Sequence, residues 1–293
     1  VFFSPDDDGA DAVTSTPDSW VWIGDNSINT ALDNGVDVTF ETNAEGTRDG
    51  DIVVRSDADI VKSSGADSTL TFRAHDDIEI NGSISSSGSG KLSVVLTADF
   101  DGSGGDSNIT INAAINLNGG EFDATAPNDF TIASAGVINA NGGDVTIDQD
   151  GTFSSADANS ISTHTSGDIE INQNVGGSIQ NALDAINNGG SGESKINLGN
   201  GIFAQSTNIN KAVTIEGEGR NSTTITPGAS SNGFTIDGTI DGTVEIAKLT
   251  VDGGSAGVRV NDTADVNELI VDKAVFKNNG LHGVAVFGDS VGS

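Results

Sequence analysis

Several residue types are missing from this chain of 293 residues, and each absence excludes a class of chemistry. There is no cysteine, which excludes disulfide bonds, cysteine-ligated metal centres and thiol catalysis. There is no methionine either, so we expect the sequence to start after a processing site, such as that of a signal peptide, or to be part of a longer protein. No apolar run approaches the roughly 20 residues of a membrane-spanning helix, so we expect no direct membrane insertion.

Positive charge and proline are also scarce. Twelve Lys and Arg stand against 43 Asp and Glu, which gives a formal net charge of −31. A field of this sign repels phosphate backbones and anionic lipid heads, so we expect no nucleic-acid partner. The carboxylates fit a solvated acidic surface, Ca²⁺ binding or a salty environment, and composition leaves these alternatives open. With 39 Gly against 4 Pro, the composition favours many strands joined by tight turns.

The best helical pattern in the chain begins at Ser178, where Ile179, Leu183 and Ile186 fall on one face. An Asn-Gly-Gly segment follows and predicts the end of the helix. The segment SINTALDNG at residues 27–35 echoes the SIQNALD segment that begins at Ser178. We therefore predict two short helices, each of which opens a solenoid segment and caps its core.

Imperfect repeats lie between these two segments, at residues 78–94, 109–124 and 131–147. Each repeat has paired strand residues, an apolar residue, a Gly-rich corner and a second apolar residue. The apolar positions on either side of the corner are Ile84, Ile115 and Ile138, followed by Leu92, Phe122 and Val145. Strands this short cannot bury an apolar face alone, so they must stack on the coils before and after them. The repeats predict a solenoid, with Asn side chains stacked as ladders at the corners.

The pieces SINTALDNGVDVTF, GDIVV, STLTFRAHDDIEINGSI, SNITINAAINLNGG and NANGGDVTI carry a recognisable pattern. They resemble the filamentous-haemagglutinin type of secreted surface proteins over about residues 20–172. The helix at residue 178, the short strands after it and the segment AVTIEGEGRNSTTI at 212–225 look like the start of a pectate-lyase-like right-handed parallel β-helix, over about residues 178–293. The first resemblance implies adhesion, secretion or simple extension, and the second implies a fold that often acts on polysaccharides.

We therefore predict an all-β fold, a right-handed parallel β-helix built as two consecutive solenoid segments, each opened by a short capping helix. The expected domains are an N-terminal extension at 1–19, a haemagglutinin-like β-helix at 20–177 and a pectate-lyase-like β-helix at 178–293. The last domain stops soon after a strand-like run, so we expect the natural chain to continue.

The sharpest candidate site is the segment DFDGSGGD at 99–106, which places oxygen-bearing side chains at alternate positions around a Gly turn. The predicted Ca²⁺ ligands are Asp99, Asp101, Ser103 and Asp106, with backbone carbonyls and water completing the shell. The loop resembles the start of an EF-hand loop but lacks the downstream Glu and the flanking helices. A metal-free surface turn is the alternative.

A second candidate calcium site consists of Asp6, Asp8 and Asp11, against a solvated acidic terminus. In pectate lyases and their relatives, carboxylates bind calcium or act as acid and base, and an Arg is often the base. The residues here that the resemblance offers for such work are Asp237, Asp241, Asp252, Asp262, Asp265, Asp272, Arg220 and Arg259. None lies in a catalytic signature, so no catalytic residue is predicted. His75, His164 and His282 are scattered without metal-binding spacing.

The resulting functional prediction is a structural or adhesive module of an exported bacterial cell-surface, matrix or filament protein. Its expected location is extracellular, and its expected partners are copies of itself, other surface proteins or a polysaccharide. The alternative is a β-helix domain that binds or cleaves polysaccharide. A tail-spike segment of a phage is a third possibility.

Overall fold

The computed structural model describes residues 2–4, 22–42, 50–103, 105–164, 166–174, 176–187 and 192–287. These residues form helix α1 (Asp25–Asp33), helix α2 (Ile179–Ala185) and many short strands. The first strands are β1 (Phe2–Ser4), β2 (Trp22–Gly24), β3 (Val38–Glu41), β4 (Ile52–Val54), β5 (Ile60–Lys62), β6 (Ser68–Arg73), β7 (Ile78–Ile80), β8 (Ile84–Ser86), β9 (Leu92–Thr97), β10 (Ile109–Ile111), β11 (Ala114–Asn116), β12 (Phe122–Ala126), β13 (Phe130–Ile132), β14 (Val137–Asn139), β15 (Val145–Gln149) and β16 (Phe153–Ser155). The others are β17 (Ile161–Ser162), β18 (Ile169–Gln173), β19 (Ile186–Asn187), β20 (Ser194–Leu198), β21 (Gly201–Phe203), β22 (Thr207–Ile209), β23 (Val213–Gly217), β24 (Thr223–Ile225), β25 (Phe234–Ile236), β26 (Thr239–Ala247), β27 (Thr250–Asp252), β28 (Ala256–Val260), β29 (Asp265–Asp272), β30 (Val275–Lys277) and β31 (His282–Val286).

The chain divides into two compact units. Unit 1 comprises Val1–Ile169 and Ala185–Gly192, and unit 2 comprises Glu170–Asp184 and Glu193–Ser293. The domain boundaries expected from the sequence, after residues 19 and 177, stay predictions.

Unit 1 consists of three parallel sheets that successive strands visit in turn. The first has the order β16-β13-β10-β7-β4-β1-β2, the second β19-β17-β14-β11-β8-β5, and the third includes β15-β12-β9-β6-β3. The pairings are parallel throughout, for example between β7, β10 and β13. Because the chain returns to the same sheet once per turn, this is a parallel β-solenoid, and the predicted fold class is confirmed.

Unit 2 repeats the same plan. Its strands are ordered β29-β26-β23-β20-β18 in one sheet, β21-β24-β27-β30 in another and β22-β25-β28-β31 in the last. The two units together contain about nine turns. The right-handed sense stays a prediction.

The core of unit 1 is made of columns of apolar side chains that stack from coil to coil. Strand β6 alternates buried and half-exposed residues, as expected for strands with one face inward. Leu70 lies beside Val94, Val94 beside Phe122, and Phe122 beside Val145. All four side chains are at most 1% exposed, so each coil contributes to one continuous core.

The register confirms one predicted column and corrects another. Ile84, Ile115 and Ile138 pair in sequence, as the repeats predict. Phe122, however, pairs with Val94 rather than with Leu92, which pairs with Ser68. The reason is that the paired positions are ten residues apart in the first repeat, from Ile84 to Val94, but seven in the other two, so the equivalent position falls two residues after Leu92.

Close approach between coils explains part of the glycine content of unit 1. A Cβ added to Gly120 would lie 1.9 Å from Leu92 O, and a Cβ added to Gly143 would lie 1.9 Å from Gly120 O. The same 1.9 Å separation recurs between Gly167 and Gly143 O. Backbone therefore packs on backbone at this corner, and no larger residue fits without moving a coil.

Both predicted helices are confirmed, as α1 and α2. Ile28 and Leu32 of α1 are buried, as are Ile179 and Leu183 of α2. Neither described helix has the length and hydropathy of a membrane-spanning segment.

Candidate functional site

Acidic side chains that lie directly before the strands form hydrogen bonds to the next coil. Asp67, just before β6, accepts the backbone N–H of Lys91 at 2.8 Å, and Asp144, just before β15, accepts that of Asp168 at 2.9 Å. The same role is taken by Asp37, Asp51, Asp77 and Asp129. A carboxylate that accepts a backbone N–H satisfies a donor that the turn leaves without a strand partner. Part of the acidic composition is therefore structural.

Amide side chains stack in the same direction. The Asn139 side chain donates to Asn116 Oδ1 at 2.9 Å, and the Asn197 side chain donates to Asn172 Oδ1 at 2.7 Å. Stacked Asn pairs are thus present in both units, but these four residues lie in strands rather than at the corners where the ladders were predicted.

The loop predicted to bind calcium, 99–106, is anchored by a histidine of the preceding coil. His75 Nδ1 lies 3.0 Å from each carboxylate oxygen of Asp101, and the Ser103 hydroxyl donates to Asp101 Oδ1 at 2.9 Å. The His75 side chain is 8% exposed and that of Asp101 is 35% exposed. The loop therefore has a side-chain anchor inside unit 1 that the sequence did not reveal.

Hydrogen bonds within the loop and to His75 favour the charged form of this carboxylate. Partial burial acts to raise the pKa of Asp101, but the hydrogen bonds from Ser103 and His75 outweigh it, and the pKa lies below its usual value. Asp99 has a left-handed backbone with φ of 47°, which places it at a turn. The backbone oxygen of Asp106 accepts the side-chain N–H of Asn108 at 2.8 Å.

Within the described ranges, no three or more His, Asp or Glu side chains are grouped to hold a metal ion. Asp6, Asp8 and Asp11 lie outside the described residues. Calcium binding by either segment stays a prediction, and a rise in melting temperature on adding Ca²⁺ is the result that would support it.

Several carboxylates that the pectate-lyase resemblance offers for catalysis accept hydrogen bonds from the next coil. Asp237 Oδ1 accepts the Thr263 hydroxyl at 3.0 Å, and this bond lowers the pKa of Asp237. Asp252 accepts the Asn278 amide at 2.7 Å, which lowers its pKa in the same way. The remaining contacts of this set join Asp241 to Asn267, Asp272 to Lys273, and the guanidinium of Arg259 to the ring of Phe287. Asp262 lies in a turn and Asp265 begins β29.

A cleft in unit 2 brings together cations from three successive coils. It has a volume of about 390 Å³ and is lined by Gly219, Arg220, Lys248 and Lys273. Arg220 follows β23, Lys248 follows β26 and Lys273 follows β29. Three of the 12 Lys and Arg residues of a chain with net charge −31 therefore line one cleft.

The parallel register makes this arrangement possible. Glu216 pairs with Ala247, and Ala247 pairs with Asp272, so the residues after these strands stack on adjacent coils. Lys248 and Lys273 both have left-handed backbones, with φ of 54° and 49°. This conformation is uncommon for a residue with a Cβ.

Carboxylates at the ends of the strands hold the two lysines. Glu216 forms ion pairs with Lys248 and, at 2.9 Å, with Lys195. The hydrogen bond from Lys248 lowers the pKa of Glu216, and the same bond raises the pKa of Lys248. Lys273 Nζ lies 3.0 Å from Asp272 Oδ2.

Arg220 differs from its neighbours. Its guanidinium forms no ion pair with the described residues, whereas its backbone oxygen accepts the Thr250 hydroxyl at 2.6 Å. The backbone is therefore fixed while the cation stays available. Sequence reasoning named Arg220 but missed the lysines. The sequence feature that could have identified Lys248 and Lys273 is a lysine directly after a strand, repeated in the next coil.

Searches with this chain against protein-family models, curated proteins and solved structures find no match to any of the three.

Proposed function

We propose that the chain is a structural or adhesive module of an exported bacterial surface, matrix or filament protein of the haemagglutinin-like kind. It acts outside the cell by extension and assembly, and its partners are copies of itself or other surface proteins. The observation that carries this proposal is the set of hydrogen bonds that carboxylate and amide side chains form between neighbouring coils. These bonds stiffen the solenoid, and they take part in no reaction.

The test is electron microscopy and light scattering of the purified protein across a concentration series. We expect assemblies whose share rises with protein concentration. Monomers at every concentration would contradict the proposal.

A polysaccharide-binding domain is the second candidate function. Three exposed cations on successive coils, Arg220, Lys248 and Lys273, favour it, because an acidic sugar carries the opposite charge. Binding of an acidic but not a neutral polysaccharide to the monomer would support this candidate over assembly.

A further inference from the structure

We propose that Asn141, in the Gly-rich corner between strands β14 and β15, is a modification site at which the side-chain amide converts to aspartyl and isoaspartyl products. The co-reactant is water. The inference is independent of the proposed function, because the reaction needs no partner and takes place inside unit 1.

The Asn-Gly pairs of the chain differ in how the glycine is held. A glycine after an asparagine leaves the side-chain amide open to attack, because it has no Cβ to hinder its own nitrogen. The sequence contains eight such pairs, of which the pair at 188–189 lies outside the described residues. In six of the other seven, the glycine N–H donates to a backbone carbonyl. These glycines are Gly35, Gly82, Gly119, Gly201, Gly233 and Gly280.

The remaining pair, Asn141 with Gly142, is not held in this way. Among the residues that the structure describes, neither the N–H of Gly142 nor the side-chain amide of Asn141 has a hydrogen-bond partner. Asn141 is also exposed, so water and hydroxide reach it. This pair therefore has a reachable amide next to an unrestrained backbone nitrogen.

The pair one coil earlier has the same conformation but is held by its neighbours. Asn118 and Asn141 are both exposed and both left-handed, with φ of 52° and 54°. The N–H of Gly119 donates to Ala140 O at 2.6 Å. The side chain of Asn118 donates to Gly88 O at 2.8 Å. The two pairs thus differ in their bonds to other coils rather than in their own turn.

The free N–H makes a cyclisation possible. Hydroxide removes the proton from the nitrogen of Gly142, and this nitrogen attacks Cγ of Asn141. The new N–Cγ bond closes a cyclic imide, the Cγ–Nδ2 bond breaks, and the leaving nitrogen takes a proton from water and departs as ammonia. Water then adds to either imide carbonyl, which gives an aspartyl or an isoaspartyl residue. The net reaction consumes water and releases ammonia, and it needs no oxidant or reductant.

A held glycine N–H slows the first step. Its nitrogen must lose the hydrogen bond before it can attack, and the net strength of a typical hydrogen bond corresponds to about a tenfold change in rate. At Asn118 the side-chain bond must break as well. Asn141 should therefore react first among the described Asn-Gly pairs.

The products alter a corner where coils pack closely. A Cβ added to Gly143 would lie 1.9 Å from Gly120 O, so there is little space between these coils. An isoaspartyl residue at position 141 adds a methylene to the main chain beside this contact, and either product adds a negative charge. We expect the bond from Ala140 N to Ser162 O, at 2.9 Å, to weaken after the reaction.

The experiment incubates the purified full chain at mildly alkaline pH and maps its peptides by mass spectrometry. We expect aspartyl and isoaspartyl products to accumulate at Asn141 at least about tenfold faster than at Asn118. The rate at Asn141 should rise with pH, because hydroxide removes the proton from the attacking nitrogen. Equal rates at the two sites, or a rate at Asn141 that does not change with pH, would overturn the proposal.

The same chain unfolded in urea is the matched control. Both pairs are followed by a second glycine, in the segments LNGGE at 117–121 and ANGGD at 140–144, so their local sequences are nearly the same. Without contacts between coils, the two sites should react at similar rates. A ratio that stays the same in urea would assign the preference to the sequence and contradict the role of the coil contacts.

Discussion

Helices α1 and α2 begin from nearly the same sequence, yet the next coil holds their ends differently. What they share is an amide side chain directly after a buried isoleucine, Ile28 in α1 and Ile179 in α2. Asn29 Oδ1 accepts the backbone N–H of Val61 at 2.8 Å, and Gln180 Oε1 accepts that of Asn208 at 2.7 Å. A helix has no free backbone edge for a strand to pair with, so a side-chain amide replaces the missing strand.

The C-terminal ends differ. At α1 the ammonium of Lys62, which is fully buried, donates to Leu32 O and Ser64 O at 2.7 Å each. A cation at a helix C-terminus is favourable because the last carbonyls carry partial negative charge. At α2 the nearby cation is Lys211, which is half-buried. Burial lowers the pKa of Lys211, and attraction to Asp184 opposes that effect.

The difference shows that the C-terminal end of the same helical motif can be stabilised by two different contacts. In unit 1 the fastening is a buried ammonium with carbonyl acceptors, and in unit 2 it is a more exposed cation near a carboxylate. Substitutions at equivalent positions can therefore test which features the two helices share.

The largest effect is expected when a charge is placed in either core. Leu32→Asp and Leu183→Asp each bury a carboxylate and remove an apolar side chain that is fully buried, so each should cost about 4 kcal/mol or more. Hydrogen exchange followed by mass spectrometry should show lost protection mainly in unit 1 for the first and in unit 2 for the second. Equal protection of both units in either variant would mean that the helix is ordinary surface.

A smaller effect, and an unequal one, is expected from the two lysines. Lys62→Met removes a buried ammonium from two carbonyl oxygens and should destabilise unit 1 by about 2 kcal/mol. Lys211→Met should destabilise unit 2 by less than about 1 kcal/mol, since its attraction to Asp184 is partly screened by solvent. Urea unfolding with exchange readout for each unit measures both. Similar losses would remove the proposed difference between the helix ends.

The amides should give matched effects. Asn29→Leu and Gln180→Leu each remove the acceptor of a backbone N–H of the next coil, so each should cost about 1 to 2 kcal/mol. The control is Asn29→Gln, which keeps the amide and should recover part of the loss. A loss in one unit only would show that the amide is not a shared device.

The smallest effect concerns pH. Hydrogen bonds from the Ser63 hydroxyl, and from the N–H groups of Ser64 and Ser63, lower the pKa of Asp33. Because the folded pKa lies below the unfolded value of about 3.9, this carboxylate stabilises the fold above that pH. The stabilisation should disappear as pH falls toward the folded pKa.

Comparison of the native chain with Asp33→Asn from about pH 6 to pH 3 measures this contribution. The stability difference between them should shrink as the pH falls. A constant difference would mean that the charge of Asp33 is not what the serines stabilise.

The sequence was sufficient for the fold class because apolar periodicity and repeats are local. Ile84, Ile115 and Ile138 could be matched by inspection, and the structure stacks them. Leu92 was matched to Phe122 wrongly, because the number of residues between paired positions varies between coils and only the pairing of strands fixes the register.

The candidate sites were less accessible from sequence. His75 and Asp101 lie 26 residues apart, and nothing local indicates that they meet. The cleft required three cations on three coils, each placed by the register of the strand before it. Such a site depends on the number of residues in every intervening turn.

The sequence by itself determined that short strands would stack into a solenoid, that two short helices would form, and that thiol chemistry is excluded. Only the tertiary structure decided which acidic side chains join coils, where backbone packs on backbone, and that Arg220, Lys248 and Lys273 share a cleft. The physical reason is that periodicity acts over a few residues, whereas contacts between coils depend on the summed length of each turn.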